Sequence, residues 1–121
     1  MLLAEKKDIH SILEVLSKAI EIGLSRDSVL IAIGGGVILD IVGFAAQQYR
    51  RMIPYYRIPT TLVGQIDAGV GIKVGANYEG NKNLLGSFYP PRLVINCSDY
   101  LFSLDDGTRR NYQRPCSGAT V

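Results

Sequence analysis

Between residues 8 and 23 the apolar residues Ile9, Ile12, Leu13, Leu16, Ala19 and Ile20 fall at helical spacing, with Glu14, Ser17, Lys18 and Glu21 between them. This spacing of three and four predicts an amphipathic helix, which Gly23 is placed to stop at its C′ position. After a polar connection at residues 25–28, Val29-Leu30-Ile31-Ala32-Ile33 is an unbroken apolar run of the kind found in a parallel strand covered on both faces. Gly34-Gly35-Gly36 follows it directly. Residues 37–49 predict a second helix, apolar at Val37, Leu39, Ile41, Val42, Phe44 and Ala45, with Arg50-Arg51 at its end, where cations suit the helix dipole. Residues 55–59 predict another strand, Thr60-Thr61 open a segment through Leu62, Val63 and Ile66, and residues 92–96 predict a last short strand after Pro90-Pro91. Residues 67–83, rich in glycine and polar side chains, predict a loop. Helix, buried strand, glycine turn and helix is an α/β order.

At 121 residues the chain has room for one small core. Its 47% hydrophobic and 20% charged content fits a globular protein better than a disordered one. Thirteen basic and eleven acidic residues give a net charge of +2, with the basic ones scattered apart from Lys6-Lys7, Arg50-Arg51 and Arg109-Arg110, which argues against a nucleic-acid partner. The apolar stretch 29–46 is long enough to raise a membrane span. A glycine triplet and Asp40 interrupt it, and an acid at mid-membrane costs about 2.5–3.5 kcal/mol, so no membrane partner is expected. No secretory leader pattern opens the chain, so a cytoplasmic protein is expected. Cys97 and Cys116 lie far apart and lack a CxxC or Cys/His spacing, so they read as ordinary thiols.

A glycine turn between a buried strand and a helix brings backbone N–H groups to the helix N-terminus, where they can cradle a phosphate. Gly34-Gly35-Gly36 suits a dinucleotide pyrophosphate, but it also suits a plain turn. Asp40 is expected in the first turn of the second helix, as a cap or as an acceptor for a ligand hydroxyl. Thr60 and Thr61 offer an N-cap or two hydroxyls to a cofactor. In residues 67–83, Asp67, Lys73, Asn77, Lys82 and Asn83 are concentrated among glycines, a composition that fits an anionic, hydroxylated ligand as well as a solvated loop. His10 is the only histidine and falls on the polar side of the first helix, so no histidine-based metal site can be completed.

Taken together, Gly34-Gly35-Gly36-Val37 with Asp40, Gly43-Phe44, Tyr49 and Arg51, then Pro59-Thr60-Thr61-Leu62, Asp67, Lys73, Lys82-Asn83, Gly86 and Pro90, resemble the dehydroquinate synthase family of sugar phosphate cyclases. Residues 49–62 and Asp67-Ala68-Gly69-Val70-Gly71-Ile72-Lys73 look more like the sedoheptulose 7-phosphate cyclases of that family, in which 2-epi-5-epi-valiolone synthase and desmethyl-4-deoxygadusol synthase are found; true dehydroquinate synthases usually carry a glycine where Ile72 stands.

The resemblance implies an α/β fold, an incomplete Rossmann-like nucleotide-binding domain over residues 1–104, with 105–121 an irregular tail of frameshift, mis-splice or remnant origin. It implies a lyase that uses NAD to oxidise a ring hydroxyl transiently, eliminates phosphate and closes the ring by an intramolecular aldol step. By position, Gly35, Gly36, Asp40, Thr60 and Thr61 would line NAD, with Lys82 beside it. Asp67 and Lys73 would contact substrate hydroxyls and phosphate, with Asn83 on the phosphate side. Arg51 would reach the phosphate of a neighbouring subunit, which implies a homodimer. A divalent metal, zinc or cobalt, is expected in the full-length parent, on a glutamate and two histidines of a helical C-terminal domain absent from this chain, so the chain alone is expected to be inactive.

Overall fold

The computed structural model describes residues 6–103; the expected irregular tail at 105–121 lies outside them. Helix α1 spans Ile9–Glu21. Asp8 caps it, its carboxylate accepting the Ser11 N–H at 2.9 Å. That hydrogen bond is the main reason the Asp8 carboxyl titrates below its ordinary range. At the other end Gly23 has φ +70°. The amides of Gly23 and Leu24 bond back to the carbonyls of Ile20 and Ala19, closing a Schellman motif.

Strand β1 (Leu30–Gly34), helix α2 (Gly36–Gln48) and strand β2 (Tyr55–Pro59) form a βαβ unit. β1 and β2 pair in parallel, Leu30 opposite Tyr55 through Gly34 opposite Pro59. β5 (Leu93–Val94) adds to the far side of β2, also parallel, giving the sheet order β1-β2-β5. The apolar stretch at 29–46 therefore divides between a strand, a turn and a helix, and no helix among the described residues is long and apolar enough to cross a membrane.

Several sequence expectations are corrected. Residues 67–83 are not one loop: β3 (Lys73–Tyr78) and β4 (Asn81–Phe88) form an antiparallel hairpin. Its two-residue link, Glu79-Gly80, has φ +49° and +75°, the signs a type I′ turn requires. The strand β1 is covered on one face only. Ala32 is buried under α2, whereas Ile31 and Ile33 on the opposite face remain 54% and 57% exposed, because the described chain supplies helices to one side of the sheet. Helix α2 ends at Gln48, before the two arginines, which lie in a single 3-10 turn with φ +48° and +64°.

The core joins α1, α2, β2 and β3 through Ile12, Val15, Ile41, Phe44, Tyr55, Val74 and Ala76. Gly43 permits this junction. A Cβ there would stand 2.5 Å from Val74 Cγ1 and 3.0 Å from the Tyr55 hydroxyl, so a side chain would hold the hairpin off the helix. Tyr55 and Tyr89 stack with centroids 5.3 Å apart. Tyr55 donates to the Tyr89 carbonyl at 2.8 Å, and Tyr89 donates to the Ile53 carbonyl at 2.7 Å, which fixes the strand leaving the hairpin against β2.

Candidate functional site

The hairpin packs across α2 and leaves a cleft of about 560 Å³. Its lining brings together four residues singled out in the sequence: Asp40, Asp67, Lys73 and Asn83.

Asp40 is the fifth residue of α2, one turn deeper than the first-turn position expected for it, because the helix begins at Gly36. Its carboxylate pairs with Lys7 Nζ at 2.5 Å instead of the backbone amides. The same Nζ donates to Asn83 Oδ1 at 2.5 Å. Lys7 was read in the sequence only as one of a basic pair. A parallel bridge between Asp8 and Asn77, with the Asn77 amide bonded to the Lys7 carbonyl at 2.8 Å, places it on the hairpin.

Asn83 owes its position to an irregularity in β4. Ala76 pairs with Leu85 and Tyr78 with Asn81, so residues 82–84 stand opposite Asn77 alone. In this bulge Asn83 has φ +54°, and its amide is held by Asn77 Oδ1 at 2.9 Å. Bulges of this kind re-aim side chains. Because its Oδ1 accepts from Lys7, the Asn83 amide nitrogen is left as a donor for a ligand oxygen.

Asp67 lies in a π-helical turn, Gly64–Ala68. The turn is closed by the Gly69 amide on the Gly64 carbonyl at 2.5 Å, and a Cβ at Gly69 would stand 2.5 Å from that same oxygen, so only glycine fits. Thr61 Oγ1 accepts the Gly64 N–H at 3.1 Å, the N-cap alternative for this residue. Asp67 and Lys73 are exposed in the cleft and have no ion-pair partner among the described residues.

The glycine turn adjoins this cleft. Gly34 has φ +155°, a conformation that favours glycine, and the Thr60 amide bonds to its carbonyl at 2.9 Å. Gly35 caps α2 without a side-chain bond. A Cβ on Gly35 would meet Thr61 at 3.2 Å, and one on Gly36 would meet only Ala68, itself a cleft residue, at 3.5 Å. The start of α2 thus lies at the C-terminal edge of a parallel sheet, between Thr61 and Ala68 of the cleft, a place in the fold that suits a pyrophosphate.

Lys82 and Arg51 are not brought into the cleft. Lys82 is exposed on the bulged strand. Arg51 follows the C-terminal end of α2, roughly 20 Å from Gly36 at 1.5 Å per helical residue. It is exposed and sits in a run of three left-handed residues, Arg50, Arg51 and Met52. His10 is exposed on α1, and no group of three His, Cys, Asp or Glu able to hold a metal occurs among the described residues.

The 3-dehydroquinate synthase N-terminal family matches residues 3–111. The chain belongs to that family. It is 45% identical over 101 residues to 2-epi-valiolone synthase of Actinosynnema mirum, covering 84% of this chain and 26% of that protein. It is 48% identical over 101 residues to 3-dehydroquinate synthase of Clostridium tetani, covering 84% of this chain and 27% of that protein. Among solved structures, 2-epi-5-epi-valiolone synthase of Streptomyces hygroscopicus subsp. jinggangensis, with NAD+ and Zn2+ bound, superposes with a TM-score of 0.85 at 42% identity, over 91% of this chain and 31% of that one. The chain thus spans about a quarter to a third of the length of these relatives. The Rossmann-like α/β fold expected from the sequence is the fold of this family's N-terminal domain.

Proposed function

We propose that this chain is the NAD-binding and phosphate-binding part of a sugar phosphate cyclase, a carbon–oxygen lyase, acting on sedoheptulose 7-phosphate. The observation that carries the reading is the cleft in which Asp67, Lys73 and Asn83 face Asp40 and Lys7, with the glycine turn beside it across Ala68.

The dinucleotide, when bound, supplies a transient oxidation that acidifies a neighbouring C–H and lets phosphate leave. Gly35 and Gly36 would hold its pyrophosphate, with Asp40, Thr60, Thr61 and Lys82 along it. Lys73, without an ion-pair partner among the described residues, supplies a cation for the phosphate, and the Asn83 amide donates beside it. Asp67 accepts from a sugar hydroxyl. Lys7 keeps Asp40 and Asn83 in register and balances the acid. The zinc carried by the Streptomyces relative finds no ligand set among the described residues, so no step is assigned to it here.

A homodimer is part of this proposal: the role that the family resemblance gives Arg51, reaching a substrate phosphate, is compatible with its place a helix length from its own cleft only if that phosphate lies in a neighbouring subunit. A second reading, 3-dehydroquinate synthase, is favoured by the 48% identity to the Clostridium enzyme; Ile72, in place of a glycine, speaks for the first. Titration of labelled chain with sedoheptulose 7-phosphate in the presence of NAD tests the assignment. The amide resonances of Asp67, Lys73 and Asn83 should shift in a saturable way while those of α1 stay fixed. Shifts confined to other residues, or none, would remove it and leave a remnant without a ligand.

A further inference from the structure

Among the described residues Arg57 is the one charged side chain in the buried interior, with no exposed surface. It lies in the middle of β2, on the face covered by α2, and no carboxylate pairs with it among the described residues. Its Nη1 donates to two carbonyls, Ala68 and Gly71, each at 2.5 Å. The guanidinium carbon stands 5.3 Å from the centroid of the Tyr55 ring. Nε and Nη2 are buried and have no hydrogen-bond partner among the described residues. A buried cation with unused donors is a poor stability device, since an apolar side chain of similar volume is often as stabilising or more so. Both carbonyls belong to the short segment between Asp67 and Lys73, and both residues that carry them line the cleft.

We infer that Arg57 is a positioning residue for the phosphate-binding cleft, fixing the separation of Asp67 and Lys73 by clamping the backbone between them from behind. Besides Arg57, the segment is held by the turn bonds from Gly69 to Gly64 and from Val70 and Gly71 to Asp67, and by the Tyr89 amide on the Ile72 carbonyl at its far end; none of these ties the Ala68 and Gly71 carbonyls to each other. Gly69 and Gly71 add no side chain to pack. A single guanidinium nitrogen reaching both carbonyls ties the exit of the π-helical turn to the start of β3 and seats both on the central strand. Its charge, screened from solvent by the sheet, also adds a fixed positive field behind the cleft, which suits an anionic ligand.

The test compares the full chain with Arg57→Met and Arg57→Lys by thermal melting, amide hydrogen exchange and titration with inorganic phosphate; the ligand arm rests on the phosphate-binding reading given above. Arg57→Met should melt close to the wild type, because the loss of two hydrogen bonds is offset by the removal of a buried, unpaired cation. Exchange at Gly69, Val70 and Gly71 should nevertheless rise about tenfold or more, and the phosphate midpoint read at the Lys73 amide should move up by a similar factor. Arg57→Lys, which keeps a cation but not the fork, should fall between. Exchange that is unchanged at these three amides, or that rises evenly over α1 and α2 as well, overturns the inference and makes Arg57 a packing residue. A wild-type Lys73 amide that ignores phosphate defeats the phosphate reading instead, while the exchange comparison still decides the role of Arg57.

Discussion

Lys7 and Asp40 form an ion pair of 2.5 Å in which both side chains are about four-fifths covered, so the start of the described chain is locked to the second turn of α2. The pair is shared with Asn83, which makes Lys7 the link between the helix that carries the glycine turn and the hairpin that carries the cleft polar groups.

Removing one partner of a largely covered pair leaves the other to be desolvated alone. Lys7→Met should destabilise the chain by about 1–3 kcal/mol in urea unfolding, and Asp40→Leu by a similar amount. The double variant should lose less than the sum, with a coupling of about 0.5–3 kcal/mol. Simple additivity would show that the pair is not formed in solution.

The contact of α2 with the hairpin depends on the missing side chain at position 43. Gly43→Ala places a methyl 2.5 Å from Val74 Cγ1, and overpacking of this kind costs about 1–3 kcal/mol. Gly43→Ala/Val74→Ala should recover part of the loss, because the second change removes the obstructing Cγ1. Calorimetric melting of the two variants measures it.

Burial pushes the Tyr55 hydroxyl up to about 12 from its ordinary value near 10, and its hydrogen bond to the Tyr89 carbonyl is made only by the neutral form. The folded pKa exceeds the unfolded one, so this contribution is fully present below pH 10 and is lost as pH rises towards 12. Tyr55→Phe should be less stable at neutral pH yet lose less stability between pH 10 and 12 than the wild type, as read by urea unfolding at successive pH values. Parallel pH profiles would contradict the assignment.

The two helices and the parallel strands were legible because their apolar positions repeat with the period of the element, as Ile12, Leu16 and Ala19 do on α1, although the buried face also takes in Val15 and leaves Leu13 and Ile20 exposed. The hairpin was not. Its strands contain Gly75, Gly86, Asn77, Asn81 and Asn83, residues poor in strand propensity, and their pairing depends on a Glu-Gly link with two positive φ angles and on the close backbone approach that Gly75 and Gly86 allow. Asp67, Lys73 and Asn83 could be singled out by type and spacing, but their meeting with Asp40 is a product of the hairpin folding across α2. Arg57 could not be placed, because a charge in the middle of a short strand does not reveal which face it takes. Lys7 stood in an uninformative basic pair, and only the bridge to Asn77 brings it into the cleft.

The central claim, that the glycine turn before α2 receives NAD, is tested most directly by calorimetric titration of NAD into the wild-type chain and Gly36→Ala. A methyl at this position meets only Ala68 at 3.5 Å, so the fold should be kept and the melting temperature nearly unchanged. The account predicts saturable heat with the wild type below millimolar cofactor, and affinity about tenfold or more weaker for Gly36→Ala, where the methyl stands in front of the helix N-terminus. No heat with the wild type at millimolar NAD, or equal affinity in both chains, would contradict it.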